Sequence, residues 1–342
     1  MQKRILVTGG TGFIGSHTVV ELMNSGYEAI IIDNLYNSRI SVLDGIEGIT
    51  GKRPAFENFD LREFDKLQAC CIKYPGIEAI IHFAALKAVG ESVEKPLDYY
   101  GNNLVSMINI LRVMNEFKIP SLVFSSSCTV YGQPDALPVT EHSAIKPANS
   151  PYGNTKQISE EIIRDTIVAN STMKAISLRY FNPVGAHPSS LIGELPLGTP
   201  QNLVPYITQT AIGLRDVLRV FGNDYNTPDG TGIRDYIYVV DLAKAHVVAI
   251  NRLVEGKNKK PYEVFNLGTG TGLSVLEVIH SFEKATGQKV NFVFQPRRAG
   301  DISSVFADTS LANNELGWKA AASIEETLLS AWNWEKRIRK KN

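Results

Sequence analysis

The feature that most constrains the fold is a short apolar segment near the N-terminus that runs directly into three regularly spaced glycines. In the stretch RILVTGGTGFIG, residues 4–15, these are Gly9, Gly12 and Gly15. Glycines at such positions let a diphosphate approach the backbone closely, and the N-terminus of the following helix favours its negative charge. Strand, glycine turn and helix together predict the first unit of a dinucleotide-binding sheet.

The following residues alternate between apolar strands and helical patterns. Four further stretches are nearly all apolar, as expected for a parallel sheet covered on both faces: YEAIIIDN (27–34), EAIIHFAA (78–85), SLVFSSS (121–127) and KAISLRYFN (174–182). The alternation predicts an α/β fold with a doubly wound, Rossmann-type parallel sheet. Past Asn182 the chain becomes rich in Pro, Gly and Asn, which indicates a smaller mixed α/β domain. We expect a dinucleotide-binding domain over 1–181 and a second domain over most of 182–342, with segments such as 235–255 returning to the first.

Composition excludes several classes of protein. The 35 Lys and Arg residues match 35 Asp and Glu residues, so there is no basic field for nucleic acid or an anionic membrane. Cys70, Cys71 and Cys128 form neither a disulfide framework nor a metal site. The N-terminal apolar run is short and no run approaches a membrane span, so we expect a soluble cytoplasmic protein with no bound metal.

An acidic residue near the end of the second strand predicts the type of dinucleotide. Asp33 is placed to accept hydrogen bonds from an adenosine ribose and to repel a 2′-phosphate, which favours NAD over NADP. Arg39 leaves the alternative open, because a nearby arginine can host that phosphate. Asp60 and Leu61 follow a third strand, and we expect them near the adenine.

The chemistry is indicated by hydroxyl groups at the end of one strand and a tyrosine–lysine pair further along. Ser125 to Ser127 close a predicted parallel strand, and ligands gather at the carboxyl ends of such strands. Tyr152 and Lys156 lie four residues apart where a helix begins, so their side chains leave the same face. A solvated pair at a helix start is the ordinary interpretation, and the serine cluster is what argues against it.

At this point the sequence resembles the extended short-chain dehydrogenase/reductase superfamily, and within it the UDP-glucose 4-epimerase family. The resemblance covers essentially the whole chain. It is carried, in order, by the stretches VTGGTGFIGSH, HFAALKAVGES, SSSCTVYG, PYGNTK, LRYFNPVGAHP, GTGIRDYIYVVDLA, FNLGTGTGLSVLE and RRAGD. It implies NAD-dependent interconversion of UDP-glucose and UDP-galactose through a transient 4-keto sugar.

The resemblance implies three catalytic residues. Tyr152 takes the proton of the sugar 4-hydroxyl, Ser127 bonds to the same oxygen, and Lys156 supports the phenolate and bonds the nicotinamide ribose. A phenol has a pKa near ~10, so we expect the Lys156 ammonium and the positive nicotinamide ring to lower the pKa of Tyr152.

The resemblance also implies two sets of binding residues. For the cofactor they are Gly9, Gly12, Phe13, Ile14, Gly15, Asp33, Asn34, Asn37, Ser38, Asp60, Leu61, Phe83, Ala84, Ala85, Lys87, Asn102, Tyr152, Lys156 and Tyr180. For the UDP-sugar they are Ser127, Tyr152, Asn182, Asn202, Leu203, Phe221, Arg234, Arg298, Asp301 and Val305. The two arginines suit charge-assisted pairing with phosphates, although surface ion pairing is the usual fate of an arginine.

Two other functions are compatible with the fold. A sugar-nucleotide 4,6-dehydratase needs an acid/base pair directly after the serines, where this chain has Cys128 and Thr129. A non-enzymatic NAD(H)-sensing regulator can keep the glycine turn and lose the tyrosine–lysine pair, which this chain retains.

Two further expectations concern substrate breadth and assembly. Val305 takes a place where the family walls the pocket beside the sugar C2 substituent, and a small residue there predicts acceptance of N-acetylhexosamines; the alternative is that Val305 is part of the core. In the helix near 97–118, residues 104–114 are apolar except at Ser106, Asn109 and Arg112. So narrow a polar stripe indicates burial on more than one face, and the resemblance favours a homodimer through this helix and the one that starts at Tyr152.

Overall fold

The computed structural model describes residues 2–298 and 302–340. The strands are β1 Arg4–Thr8, β2 Glu28–Ile32, β3 Ala55–Glu57, β4 Ile77–His82, β5 Ser121–Ser127, β6 Lys174–Tyr180, β7 Asn182–Val184, β8 Leu218–Phe221, β9 Ile233–Tyr238, β10 Tyr262–Leu267, β11 Gly272–Ser274, β12 Phe292–Gln295 and β13 Ser304–Val305. The α-helices are α1 Phe13–Asn24, α2 Val42–Thr50, α3 Phe64–Lys73, α4 Val89–Glu94, α5 Pro96–Phe117, α6 Pro151–Ala169, α7 Leu203–Ala211, α8 Val239–Val254, α9 Val275–Thr286 and α10 Ile324–Arg339.

The central sheet has seven parallel strands in the order β10-β6-β5-β4-β1-β2-β3. Chain order reverses at β1, so a crevice opens beside its carboxyl end, where ligands bind in such sheets. The register aligns Thr8 with both Ile32 and His82, which brings three strand ends together at that crevice. The predicted doubly wound α/β fold is confirmed.

Alternation along the strands supplies apolar side chains to both faces of this sheet. On one face Ile5 and Val7 pack with residues of α1 and α8, and on the other Leu6 packs with residues of α3, α5 and α6. Burial of each such aliphatic side chain stabilises the fold by about 1.5–3 kcal/mol. Both layers of helices are therefore needed to cover the sheet.

The later part of the chain forms a smaller unit and also contributes to the central sheet. β7, β9, β11 and β13 form one small sheet, β8 and β12 form another, and their core includes Phe282, Leu328 and Trp332. α8 packs on α1, and β10 adds a strand beside β6. Thus two segments beyond residue 182 belong spatially to the first unit.

Among the described residues, none of the helices has the length and apolar character of a membrane span. The same ranges contain no cluster of three or more His, Cys, Asp or Glu side chains suited to a metal ion.

Candidate active site

The turn after β1 is shaped so tightly that only glycine fits it. Gly9 has a φ of +68°, and a Cβ on it would lie 2.8 Å from the Ala84 amide nitrogen. A Cβ on Gly15 would lie 2.2 Å from the Gly9 carbonyl oxygen. No side chain caps α1 at Gly12, so the first helical turn, with Phe13 and Ile14, presents its backbone to the crevice. This cradle fits the diphosphate of a dinucleotide.

Asp33 lies beside this turn, at the end of β2. One carboxylate oxygen accepts from the Thr11 amide at 3.1 Å, and the other accepts from the Leu35 amide at 2.9 Å and the Ser38 hydroxyl at 3.3 Å. The carboxylate therefore joins the glycine turn to the loop that contains Asn37. A carboxylate has about four lone-pair sites, so it retains capacity for a ribose hydroxyl.

Asp60, which we expect near the adenine, is fixed by contacts with Arg62 and Asn34. Its carboxylate forms a two-point contact with the Arg62 guanidinium at 2.9 and 2.8 Å and accepts from the Asn34 amide at 3.1 Å. The contact with Arg62 lowers the pKa of Asp60 to about 2. Leu61 is buried, and its carbonyl oxygen accepts from the Asn109 side chain at 2.9 Å. Asp60 and Leu61, both predicted to lie near the adenine, are therefore held differently: Asp60 by an ion pair and Leu61 by burial and a backbone hydrogen bond.

The segment after β4 is held in place by an asparagine that the sequence analysis missed. The Asn103 amide group accepts from the Leu86 amide at 2.8 Å and donates to the Leu86 carbonyl at 3.0 Å. It also donates to the Thr155 hydroxyl at 3.0 Å, and the predicted Asn102 donates to it at 2.9 Å. This clamp fixes the segment of Phe83, Ala84, Ala85 and Lys87. Two adjacent asparagines inside a long helix were the available signal, because asparagine disfavours helix interiors.

The start of α6 places the predicted catalytic pair. Ser150 caps the helix by accepting the Gly153 amide at 3.2 Å, and Pro151 occupies the first helical turn. Tyr152 and Lys156 then face the carboxyl end of β5. Ser127 acts on the Tyr152 phenol, since its side chain favours the ionised form and lowers the pKa of Tyr152 against the larger effect of burial. Lys156 Nζ donates to the Ser125 carbonyl oxygen at 2.7 Å and lies 5.8 Å from the centre of the Tyr152 ring.

Burial sets the protonation of both residues. It raises the pKa of Tyr152 to about 12, against the opposing effect of the Ser127 side chain. It lowers the pKa of Lys156 to about 7, and the Glu160 carboxylate opposes this shift. Among the protein's own groups, desolvation therefore outweighs the effects that favour the phenolate. The expectation that Lys156 and an oxidised nicotinamide ring together lower the pKa of Tyr152 concerns the cofactor-bound site and stays a prediction. The charge on an oxidised nicotinamide ring is the remaining source of such a shift.

Tyr180 ends β6 directly beside the serines. Its hydroxyl is hydrogen bonded to the Ser125 hydroxyl, and burial raises its pKa above the ordinary range. The register of β5 and β6 pairs Ser127 with Tyr180. Tyr180 thus borders the predicted nicotinamide site while supporting the end of β5.

The predicted UDP-sugar residues lie on several elements of the smaller unit. Asn182 opens β7, and Asn202 precedes Leu203 at the start of α7. Phe221 ends β8, and the Arg298 guanidinium lies 3.9 Å above its ring. Asp301 lies outside the described residues.

Two of these residues connect the smaller unit to the end of β5, where the predicted catalytic residue Ser127 lies. Arg234 on β9 pairs with Val305 on β13, and its charge acts on the Cys128 thiol that follows Ser127. Val305 is only 5% exposed and belongs to an apolar cluster that includes Val130. Both are therefore next to the end of β5.

Glu194 is a second residue that the sequence analysis missed. Its carboxylate accepts from the Asn202 amide at 2.5 Å, and it lies 3.6 Å from Lys87 Nζ. It thus joins one predicted cofactor residue to one predicted substrate residue. Loop residues give no periodic signal, so the sequence pattern could not single it out.

The glycine cradle at a topological switch point and a Ser, Tyr and Lys set at the adjoining strand end define an extended short-chain dehydrogenase/reductase. A family model described as GDP-mannose 4,6 dehydratase matches residues 6–330. UDP-glucose 4-epimerase 2 of Arabidopsis thaliana is 52% identical over 98% of this chain and 95% of its own length.

Two solved structures show the same relationship. UDP-glucose 4-epimerase from Stenotrophomonas maltophila, with bound NAD and formylated UDP-arabinopyranose, has a TM-score of 0.96 and 46% identity, covering 100% of both chains. The enzyme from Bifidobacterium longum, in complex with NAD+ and UDP, has a TM-score of 0.95 and 47% identity over 99% of this chain and 100% of its own. The chain belongs to the UDP-glucose 4-epimerase family.

Alanine at Gly15 is expected to abolish retention of the cofactor, because its Cβ would collide with the Gly9 carbonyl oxygen. Purified wild type, denatured and analysed by chromatography, should release about one NAD per chain, and the Gly15→Ala variant at least about tenfold less. Gly101→Ala is the matched control, since its Cβ would meet open space on α5. Full retention by Gly15→Ala, or recovery of NADP alone from wild type, would contradict the assignment.

Proposed function

We propose that the protein is an NAD-dependent 4-epimerase that interconverts UDP-glucose and UDP-galactose through a 4-keto sugar. The observation that carries this proposal is the convergence of Tyr152, Ser127 and Lys156 at the carboxyl end of β5, at the same crevice as the glycine cradle. Full-length relatives at about 50% identity support the same activity.

The chain's own residues perform proton transfer and orientation. Tyr152 takes the proton of the sugar 4-hydroxyl and later returns it, and Ser127 stabilises the same oxygen by a hydrogen bond. Lys156 Nζ donates a hydrogen bond to the Ser125 carbonyl oxygen, and this bond holds the ammonium group 5.8 Å from the centre of the Tyr152 ring. When bound, NAD supplies a reversible two-electron acceptor for C4 of the sugar.

Epimerisation also requires that one end of the substrate stays fixed while the hexose turns over. The UDP group serves as this anchor. Arg234 and Arg298 come from different strands and loops, so they approach a diphosphate from separate directions, and guanidinium groups suit such contacts. The Phe221 ring beside Arg298 offers a flat apolar surface for a uracil base.

The geometry argues against the two alternatives. A dehydratase needs an acid and a base next to the serines, but burial raises the pKa of the Cys128 thiol to about 12 and Thr129 carries only a hydroxyl. A regulator has no use for a phenol beside Ser127 with a buried lysine 5.8 Å from the centre of its ring. Turnover of UDP-galactose to UDP-glucose without added cofactor distinguishes an enzyme from a regulator.

Tyr152→Phe should lower kcat by at least about 100-fold, as expected for loss of a general acid–base. UDP binding should persist, because the substitution leaves Arg234 and Arg298 unchanged. Wild-type turnover by this variant would show that another group transfers the proton.

A second variant, Lys156→Met, tests whether the Lys156 ammonium group stabilises the Tyr152 phenolate. Without the ammonium group the Tyr152 phenolate is less favoured, so the acid limb of the kcat profile should move to higher pH. An unchanged profile would contradict the electrostatic role of Lys156.

We also propose that the enzyme accepts UDP-N-acetylglucosamine. Val305 is held by β13 against β9, and it packs against the cluster after Ser127 that contains Val130 and partly buried Cys128. Its side chain lacks the ring and hydroxyl with which a tyrosine would fill the space beside the sugar C2. A packed wall cannot shrink, so its size decides whether an acetamide enters.

Val305→Tyr should lower kcat/KM for UDP-N-acetylglucosamine by at least about 100-fold, or about 2.7 kcal/mol. Turnover of UDP-glucose by the same variant reports that it is folded and should be retained. Val305→Ala is the matched control and should keep both activities. Wild type that epimerises UDP-glucose but shows no reaction with UDP-N-acetylglucosamine would contradict the proposed breadth.

We propose in addition that the protein is a homodimer through α5 and α6, which pack together. Two residues of the polar stripe of α5, Ser106 and Asn109, are buried and Arg112 is exposed, while Val105 and Ile108 are 40% and 42% exposed. A helix that exposes apolar residues beside a second long helix suits pairing with a second copy.

Ile108→Glu should produce a monomer, because a carboxylate would be desolvated in the paired helices. Light scattering at micromolar concentration should give the mass of two chains for wild type and one for the variant. Ile72→Glu is the control, since Ile72 is 70% exposed and lies on α3, which is not one of the two helices of the proposed contact. A monomeric wild type would contradict the proposal.

A further inference from the structure

Three consecutive serines at the end of β5 face one stripe of α6. Their neighbours on α6 are four residues apart, so they follow each other by about one helical turn. Lys156 Nζ donates to the Ser125 carbonyl oxygen at 2.7 Å, Ser126 Oγ donates to Glu160 Oε1 at 2.6 Å, and Ser127 acts on the pKa of the Tyr152 phenol. The Ser126–Glu160 contact has no place in the reaction described above.

Glu160 is fixed more firmly than its two neighbours on this stripe. Arg179 donates Nε to Oε1 at 2.9 Å and Nη2 to Oε2 at 2.5 Å, and both side chains are buried. Arg179 in turn donates Nη1 to the Tyr131 hydroxyl at 3.0 Å. The β5–β6 register pairs Ser126 with Arg179, so one carboxylate joins two strands and a helix.

This buried ion pair is poorly explained by stability alone. Replacement of a buried ion pair by apolar side chains of similar volume is often neutral or stabilising. A bidentate contact does fix geometry, because both carboxylate oxygens are held in one plane. Glu160 lies eight residues beyond Tyr152, about 12 Å along the helix, so it touches neither the phenol nor Ser127.

We propose that Glu160 is a positioning residue for the epimerisation, which rests on the function proposed above. Locked by Arg179, its carboxylate holds Ser126 and so fixes the register between α6 and β5 in which Tyr152 faces Ser127. Rotation or sliding of α6 would break the Ser126 contact first and then misalign the phenol. Misplacement of a reacting group by about 1 Å can cost about 100-fold in rate.

Glu160 also faces Lys156 electrostatically. The titratable or charged groups around Lys156 are Tyr152 and Glu160 on α6, His82 on β4, and Tyr180 and Arg179 on β6. Burial keeps His82 neutral, with a pKa of about 3. Glu160 therefore supplies the negative charge that raises the pKa of Lys156 against the larger, lowering effect of burial. Its loss should move the alkaline limb of activity to lower pH.

The test compares Glu160→Gln with Glu263→Gln. Glutamine keeps the shape and an acceptor for Ser126 but removes the charge. Glu263 on β10 forms a similar buried ion pair with Arg252 on α8. Arg252 donates two hydrogen bonds to its carboxylate, at 2.7 and 2.8 Å. Both variants leave a buried arginine without its carboxylate partner, so both should lower the free energy of unfolding. Only Glu160→Gln should change kcat and its pH profile.

For Glu160→Gln we expect kcat for UDP-galactose to fall by about tenfold, with KM changed less than about twofold and the alkaline limb moved to lower pH. Glu263→Gln should keep the wild-type kcat and pH profile at a temperature where both variants are folded. Equal kcat and pH profiles in the two variants would overturn the proposal.

If Glu160→Gln does not fold, Ser126→Ala tests the positioning role instead, because this variant leaves the Glu160–Arg179 ion pair intact. It should lower kcat by about threefold or more with KM unchanged, and a wild-type kcat would overturn the proposal. Active wild type with unaffected variants would contradict the positioning role alone. Inactive wild type supplied with NAD would instead overturn the proposed epimerisation and this inference with it.

Discussion

The contact between the start of α6 and the carboxyl end of β5 is the constraint on which the site depends. Ser150 and Pro151 fix where the helix begins, and this choice sets which face of α6 meets the strand. Because Tyr152 and Lys156 share that face, both reach the serines. The glycine turn and Asp33 then need only place a dinucleotide at the neighbouring strand end.

Burial gives this contact its chemical character. Desolvation drives the phenol and the ammonium group toward their neutral forms, as the pKa of about 12 for Tyr152 and of about 7 for Lys156 show. The protein alone therefore keeps the proton on Tyr152 at neutral pH. In the proposed mechanism, a cationic nicotinamide ring in the crevice would shift the balance toward the phenolate, so that Tyr152 would act as a base only with the oxidised cofactor in place.

The sequence predicted the elements with strong local signals, namely the glycine turn, the apolar parallel strands and the serine cluster before a Tyr-x-x-x-Lys pair. Asn103, Glu160 and Glu194 were missed, because their partners lie on distant segments. The raising effect of burial on the pKa of Tyr152 was not anticipated, since desolvation depends on tertiary packing. In α5 two residues of the polar stripe, Ser106 and Asn109, proved to face inward, and Asn109 reaches the Leu61 carbonyl oxygen, while Arg112 is exposed.

The most direct measurement of the central claim follows the hydrogen at C4 of the sugar. UDP-glucose carrying deuterium at C4 is incubated with the purified protein in ordinary water without added cofactor, and the UDP-galactose formed is examined by mass spectrometry and NMR. Since the residues of this site exchange only the hydroxyl proton with solvent, the account predicts complete retention of deuterium at C4. Loss of that deuterium to water would contradict it.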